Sequence, residues 1–161
     1  MQKDHHMFMS PQRIIAHLTA TYEDIAIKSA WGETAVFYNP GLQRTHGIYV
    51  ATIKDHDGAN DTASNLNRDD VFRFAFGLTH TTYEHLFGPR PTRPPRGNSV
   101  QTHHDVTQLN QLMPHPVYAW MGWVQILSPD TTQYHNLQPL LAESYVNAQK
   151  KYARRTTRIN P

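Results

Sequence analysis

Residues 71–77 carry the pattern that most constrains how this chain can fold. Phe72, Phe74 and Phe76 occupy every second position, and side chains two residues apart point to the same face of a β-strand. Three aromatic rings on one face require a hydrophobic layer to cover them. A helix from about Asn136 to Arg155 can supply that layer, because apolar residues recur there at helical spacing. We expect this helix to pack on the sheet through Leu140, Leu141, Tyr145 and Ala148.

The remaining elements follow from turn residues and from changes of period. Ser10 followed by Pro11 is typical of the start of a helix. Short β-branched and aromatic runs come next, separated by turns such as Trp31-Gly32. The order of elements predicts an α+β fold, with a single antiparallel sheet of four to six strands and helices packed mainly on one face. The predicted strands are Ile25–Ala30, Thr34–Tyr38, Ile48–Ile53, Val71–Gly77 and Gly122–Leu127, and the predicted middle helices are His80–Phe87 and Asp105–Leu112.

The length of the chain, 161 residues, suits one domain. We expect a flexible N-terminus over residues 1–9 and a single α+β domain over residues 10–155. That domain would include an irregular Pro/Arg-rich loop at residues 88–105, and a C-terminal tail would follow over residues 156–161.

Composition excludes several classes of protein. The chain has no cysteine, so disulfides, thiolate metal sites and cysteine nucleophiles are excluded. Its apolar runs are only a few residues long, whereas a helix that spans a membrane needs about 20. Residues 1–10 contain no apolar stretch typical of a secretory signal. We therefore expect a cytoplasmic protein with no membrane partner.

Several motifs occur in an order that resembles a bacterial family of uncharacterised, domain-of-unknown-function proteins. The resemblance covers about Ser10 to Arg155 and implies no activity. The final third is more distantly similar to the MmcQ/YjbR-like family, through a Trp-bearing strand followed by Leu140–Tyr145. That similarity implies a curved antiparallel sheet of a kind compared with DNA-binding proteins. The motifs of the first resemblance are Phe72–Gly77, Thr82–Gly88, Leu112–Tyr118 and Trp123-Val124.

The face of the sheet opposite the phenylalanines is the candidate binding site. Strand alternation places Arg73 on that face, and it places Trp123 there if Val124 faces the helices. His115 stands between two prolines that restrict its backbone. A second interpretation is a small hydrophobic cluster covered by residues 89–117. The aliphatic part of the Arg73 side chain would then extend along this cluster and keep the charged group in water. The candidate binding residues are Arg73, His115, Tyr118, Trp120, Trp123 and Gln125.

Arg90, Arg93 and Arg96 recur every third residue among prolines. A polyproline II segment has three residues per turn, so it would present all three guanidinium groups on one edge. These arginines are a weak candidate for contact with an anion. The alternative is a solvated loop stiffened by its prolines.

No metal, cofactor or catalytic residue is predicted. Adjacent residues such as His103-His104 chelate one ion poorly, and His80 with Glu84 lacks an evident third ligand. The phosphate-binding and hydrolase motifs are missing from the sequence.

We expect a domain that binds an anionic ligand or nucleic acid at the sheet face. The alternatives are a small hydrolase or isomerase that uses His115, and a protein-interaction or homodimerisation module.

Overall fold

A computed structural model describes residues 7–159, with side-chain surroundings through Thr157. Within these residues the chain forms four α-helices and six β-strands. The helices are α1 (Pro11–Thr21), α2 (His80–Phe87), α3 (Thr131–Asn136) and α4 (Gln138–Ile159). The strands are β1 (Ile25–Ala30), β2 (Glu33–Tyr38), β3 (Ile48–Lys54), β4 (Arg73–Gly77), β5 (Met113–Pro114) and β6 (Trp123–Leu127).

The six strands form one antiparallel sheet in the order β1-β2-β3-β4-β6-β5. The first four strands are neighbours in chain order, whereas β6 lies between β4 and β5. This arrangement confirms the predicted α+β fold with a single antiparallel sheet. It also puts the 3₁₀ turn at Ala119–Met121 beside the start of β6.

The helices cover the face of the sheet that carries the phenylalanines. Phe74 and Phe76 are fully buried in a cluster that contains Leu141 of α4 and Ile14 of α1. Ser10 caps α1 by accepting a hydrogen bond from the backbone N–H of Arg13. Of the four residues predicted to attach α4, Leu141 and Ala148 are buried in this cluster, and Leu140 and Tyr145 pack against it while partly buried.

The helix predicted at Asp105–Leu112 does not form. The Asp105 carboxylate accepts hydrogen bonds from the backbone N–H and the hydroxyl of Thr107, which makes a turn in place of a helix cap. Asn110 then adopts a left-handed conformation, with φ of 61°. Its N–H donates to the carbonyl of Leu127 at 2.6 Å, so a bond to the sheet replaces the one that would continue the helix.

Other boundaries differ from the sequence-based expectation. Asp130 caps α3, which the sequence did not predict, and α4 continues to Ile159 rather than ending near Arg155. Residues 1–6 of the predicted N-terminal segment lie outside the described residues, while the N–H of Met9 donates to the carbonyl of Pro129 at 3.1 Å. None of the described helices is both long enough and apolar enough to cross a membrane.

Candidate functional site

The register of the strands brings several predicted site residues to the face of the sheet away from the helices. Arg73 lies opposite Leu127, and Ala75 lies opposite Gln125. Gly77 lies opposite Trp123. Side chains of directly opposed residues share a face in an antiparallel pair. The face therefore carries Arg73, Gln125 and Trp123, and β3 adds Thr52 and Lys54.

Arg73 is buried in an ion pair with Asp61 and is only 1% exposed. Its two terminal nitrogens donate to the two carboxylate oxygens of Asp61, and its Nε donates to Gln125 Oε1 at 2.7 Å. Burial alone would raise the pKa of Asp61. The hydrogen bonds and charge of Arg73, with Lys54 alongside, outweigh it and lower that pKa to about 2. The guanidinium group of Arg73 is thus bound by the loop before β4 and is not exposed to a ligand.

His115 is held rigidly, and its ring is neutral. The backbone N–H groups of Val117 and Tyr118 both donate to its Nδ1, at 3.0 and 3.2 Å. Burial, together with the charge of Arg73, holds the pKa of His115 well below its usual value. Since Nδ1 accepts two hydrogen bonds, the proton of the neutral ring belongs on Nε2. Among the described residues, no group forms a hydrogen bond with Nε2.

A cavity of about 420 Å³ opens beside His115. The turn between β1 and β2 forms one side of it, and the segment that follows His115 forms the other. The rings of Tyr49 and Trp123, which both line it, meet edge to face with centroids 6.3 Å apart. Its principal lining residues are Trp31, Glu33, Tyr49, His115, Tyr118 and Trp123.

Only some of the predicted site residues line the cavity. His115, Tyr118 and Trp123 line it, whereas Gln125 is fully buried beside Arg73. Trp120 lies outside the lining and belongs to the Pro/Arg segment. Arg93 stacks over its ring with 4.6 Å between the guanidinium carbon and the ring centroid.

The Pro/Arg segment is attached to the domain by two of its three arginines. Arg90 donates to the carbonyl of Trp120 at 3.0 Å and forms an ion pair with Glu84, while Arg93 packs on the Trp120 ring. Arg96 is exposed. A larger and more polar cavity of about 570 Å³ lies between residues 60–63 and 92–101. Its carboxylate, Asp61, is already paired with Arg73.

The sequence-based list of site residues omitted Trp31, Glu33 and Tyr49. Trp31-Gly32 indicates a turn, and the sequence gives no sign that the Trp31 ring lines a cavity, because single exposed apolar side chains are common on protein surfaces. Alternation from Val36, which is buried in the core, would have put Glu33 on the opposite face. Tyr49 could not be placed in this way, because a bulge shifts the register between β2 and β3.

No three His, Asp or Glu side chains among the described residues are placed to hold a metal ion. His103 and His104 stack on each other with ring centroids 4.4 Å apart. His80 lies 3.4 Å from a guanidinium nitrogen of Arg90, and Glu84 pairs with the same arginine.

Comparison with known proteins assigns the chain to a family. A sequence profile described as a family of unknown function, DUF6194, matches residues 9–157. The chain belongs to this family. The match includes the whole cavity, so the cavity lies inside the DUF6194 domain. Neither a curated protein nor a solved structure is significantly similar to the chain.

Proposed function

We propose that this DUF6194 domain binds a small organic molecule in the aromatic cavity. One observation carries the proposal: the cavity combines aromatic walls with polar groups that have no hydrogen-bond partner among the described residues, and His115 Nε2 and the Glu33 carboxylate are among these groups. Its volume of about 420 Å³ lies within the range of small-molecule sites, which are mostly apolar with a few convergent polar groups.

The conformation of Trp31 supports the proposal. Ala30 pairs with Glu33, so Trp31 and Gly32 form a two-residue hairpin turn, and both have positive φ, 50° and 76°. Such turns favour Asn-Gly, and a left-handed conformation costs a residue with a side chain roughly 1–2 kcal/mol. Trp31 is also 73% exposed. Within the fold the Trp31 ring meets the ring of His46, with centroids 5.6 Å apart, and a ligand in the cavity would cover more of it.

The other predicted functions receive less support. The predicted binding of an anion or nucleic acid at the sheet face requires the charge of Arg73. That charge is paired with Asp61. A hydrolase that used His115 as a base would need an unprotonated nitrogen facing the substrate, but Nδ1 is occupied by two backbone N–H groups. With Nδ1 occupied and its ring neutral, His115 could act only as a hydrogen-bond donor. Homodimerisation, cytoplasmic location, bacterial origin and the distant similarity to MmcQ/YjbR-like proteins stay predictions.

The three tryptophans allow a direct test. We would titrate ¹⁵N-labelled protein with benzylamine, benzyl alcohol and benzoate, which share one shape and differ in charge, and follow the three indole N–H signals by NMR. We expect at least one probe to shift the signals of Trp31 and Trp123, which line the cavity, and to leave that of Trp120 in place. The proposal is wrong if no probe shifts these two signals, or if all three signals move together.

A further inference from the structure

We infer that the molecule bound in this cavity carries a positively charged nitrogen, which Glu33 and the surrounding aromatic rings hold together. This inference rests on the proposed function and names the chemical class of the ligand. Three features of the described residues support it: the isolated carboxylate of Glu33, the geometry of the rings, and the contacts that hold the nearby cationic side chains on groups other than Glu33.

The first feature is the environment of Glu33. It is the first residue of β2 and is half-buried at the wall of the cavity. No Lys, Arg or His forms an ion pair with it, and no group donates a hydrogen bond to its carboxylate, among the residues that the structure describes. A partly buried carboxylate without a partner favours a ligand that brings a positive charge or a donor.

The charge of Glu33 acts inside the cavity. Burial is the main cause of the raised pKa of the Tyr49 and Tyr118 hydroxyls, and the Glu33 carboxylate is the next cause for both. Glu33, Tyr49 and Tyr118 all line this one cavity. An anionic ligand placed among these rings would be repelled by Glu33.

The second feature is the arrangement of the aromatic rings. Four of them line the cavity, from Trp31, Tyr49, Tyr118 and Trp123. Tyr49 and Trp123 are inclined by 80° to each other, so they form two walls of a corner rather than a parallel slot. Ring faces carry negative potential and attract cations, and aromatic walls around a space are the usual way to bind quaternary ammonium groups. A flat ligand would stack better between parallel rings.

The third feature is that the neighbouring Lys and Arg side chains contact groups other than Glu33. Arg73 is paired with Asp61, and Lys54 also contacts Asp61, at 3.4 Å. Lys28, on the neighbouring strand β1, donates to the carbonyl of Thr45. Arg93 stacks on Trp120, outside the cavity. None of these side chains forms an ion pair with Glu33, so its negative charge remains available to a ligand.

The test compares choline with 3,3-dimethylbutan-1-ol, which has the same shape but a carbon in place of the charged nitrogen. Affinities for the protein would be measured from the NMR shifts of the Trp31 and Trp123 indoles. We expect choline to bind at least about tenfold more tightly than the neutral alcohol, a difference of about 1.4 kcal/mol. Glu33→Gln should remove most of this preference, because it keeps the shape of the side chain and removes its charge.

Glu23→Gln is the matched control. Glu23 is exposed and precedes β1, whereas the cavity lies at the other end of that strand, so this variant changes the net charge equally without touching the site. It should preserve the preference for choline. Equal affinities for choline and the alcohol, or an unchanged preference in Glu33→Gln, would overturn the inference and leave the proposed binding function standing. No binding of either compound, with no response to the benzyl probes, would overturn both.

Discussion

At the scale of single residues, the buried ion pair and the cavity have different roles. Arg73 and Asp61 satisfy each other and attach the loop before β4 to the sheet. Glu33 and His115 Nε2 lack such partners among the described residues and lie where a ligand could reach them. A charged residue on a strand face can thus be structural or functional, and only its partners distinguish the two roles.

Replacing Arg73 with Met should destabilise the protein. The substitution leaves Asp61, whose side chain is 12% exposed, with only the longer contact to Lys54, and loss of one partner of a buried pair costs about 3–5 kcal/mol. Urea unfolding would measure the change in the free energy of unfolding. Arg96→Met is the control, since Arg96 is exposed and its loss should change stability by less than about 0.5 kcal/mol. A small effect of Arg73→Met would show that the pair contributes little.

The pKa of Asp61 predicts how stability depends on pH. This pKa is lowered in the folded protein from 3.8 to about 2. The stabilisation is therefore fully present above pH 3.8 and is lost as the pH falls towards 2. It amounts to about 2 kcal/mol. Urea unfolding between pH 5 and pH 2 should show a steeper fall for the natural protein than for Asp61→Asn. Parallel profiles would contradict the assignment.

At the scale of elements, the β1–β2 hairpin connects local conformation with binding. Its turn places a large exposed ring, Trp31, in a left-handed conformation at the mouth of the cavity. On the opposite wall, Gly77 of β4 allows the Trp123 ring to lie flat on the strand. A Cβ at position 77 would come within 3.0 Å of Trp123 Nε1. Elements distant in sequence thus contribute to the lining of one cavity.

Trp31→Asn should separate stability from binding. Asn tolerates positive φ, and Asn-Gly is the preferred sequence for this turn, so we expect the free energy of unfolding to rise by about 1 kcal/mol. The same change removes one aromatic wall and should weaken the binding of choline. Trp31→Phe is the matched variant, which keeps both a ring and the strained backbone and should retain binding without the gain in stability. A loss of stability in Trp31→Asn would mean that the exposed ring serves the fold.

At the scale of the whole molecule, the helices stabilise one face of the sheet and leave the other for loops and the cavity. Helix α4 is central to that division, because Leu141 and Ala148 are buried against the sheet. The Ser144 hydroxyl, between them on the same helix, donates to the carbonyl of Val50 at 2.8 Å. The core on this side does not include Glu33 or His115. Changes to the core should therefore affect folding and leave the chemistry of the cavity intact.

Leu141→Ala should cost about 2–5 kcal/mol in the free energy of unfolding, because the side chain is fully buried and its removal leaves a cavity. Val146→Ala on the same helix is the control, since Val146 is 43% exposed and its truncation should have a small effect. Thermal or urea unfolding of both variants would measure the difference. Equal effects would mean that α4 does not pack as described.

The sequence by itself determined the local elements and the class of fold. Alternation in residues 71–77 and the helical stripe near the C-terminus depend only on neighbours along the chain, and helix α2 has the predicted bounds, His80–Phe87. The sequence also indicated His115, Tyr118 and Trp123 as candidate site residues. It did not indicate that a two-residue strand, Met113–Pro114, would add to the sheet beside β6.

Only the tertiary structure decided which of these residues share a cavity. Asp61 reaches Arg73 because the loop before β4 folds over the sheet, and nothing in the spacing of the two residues predicts that contact. Asn110 prevents a helix through a bond to Leu127, which is distant in sequence. Glu33 and His115 line one cavity, although the strands that they follow or begin lie towards opposite edges of the sheet. Long-range pairing determines the site, since side chains far apart in sequence meet only after the sheet has formed.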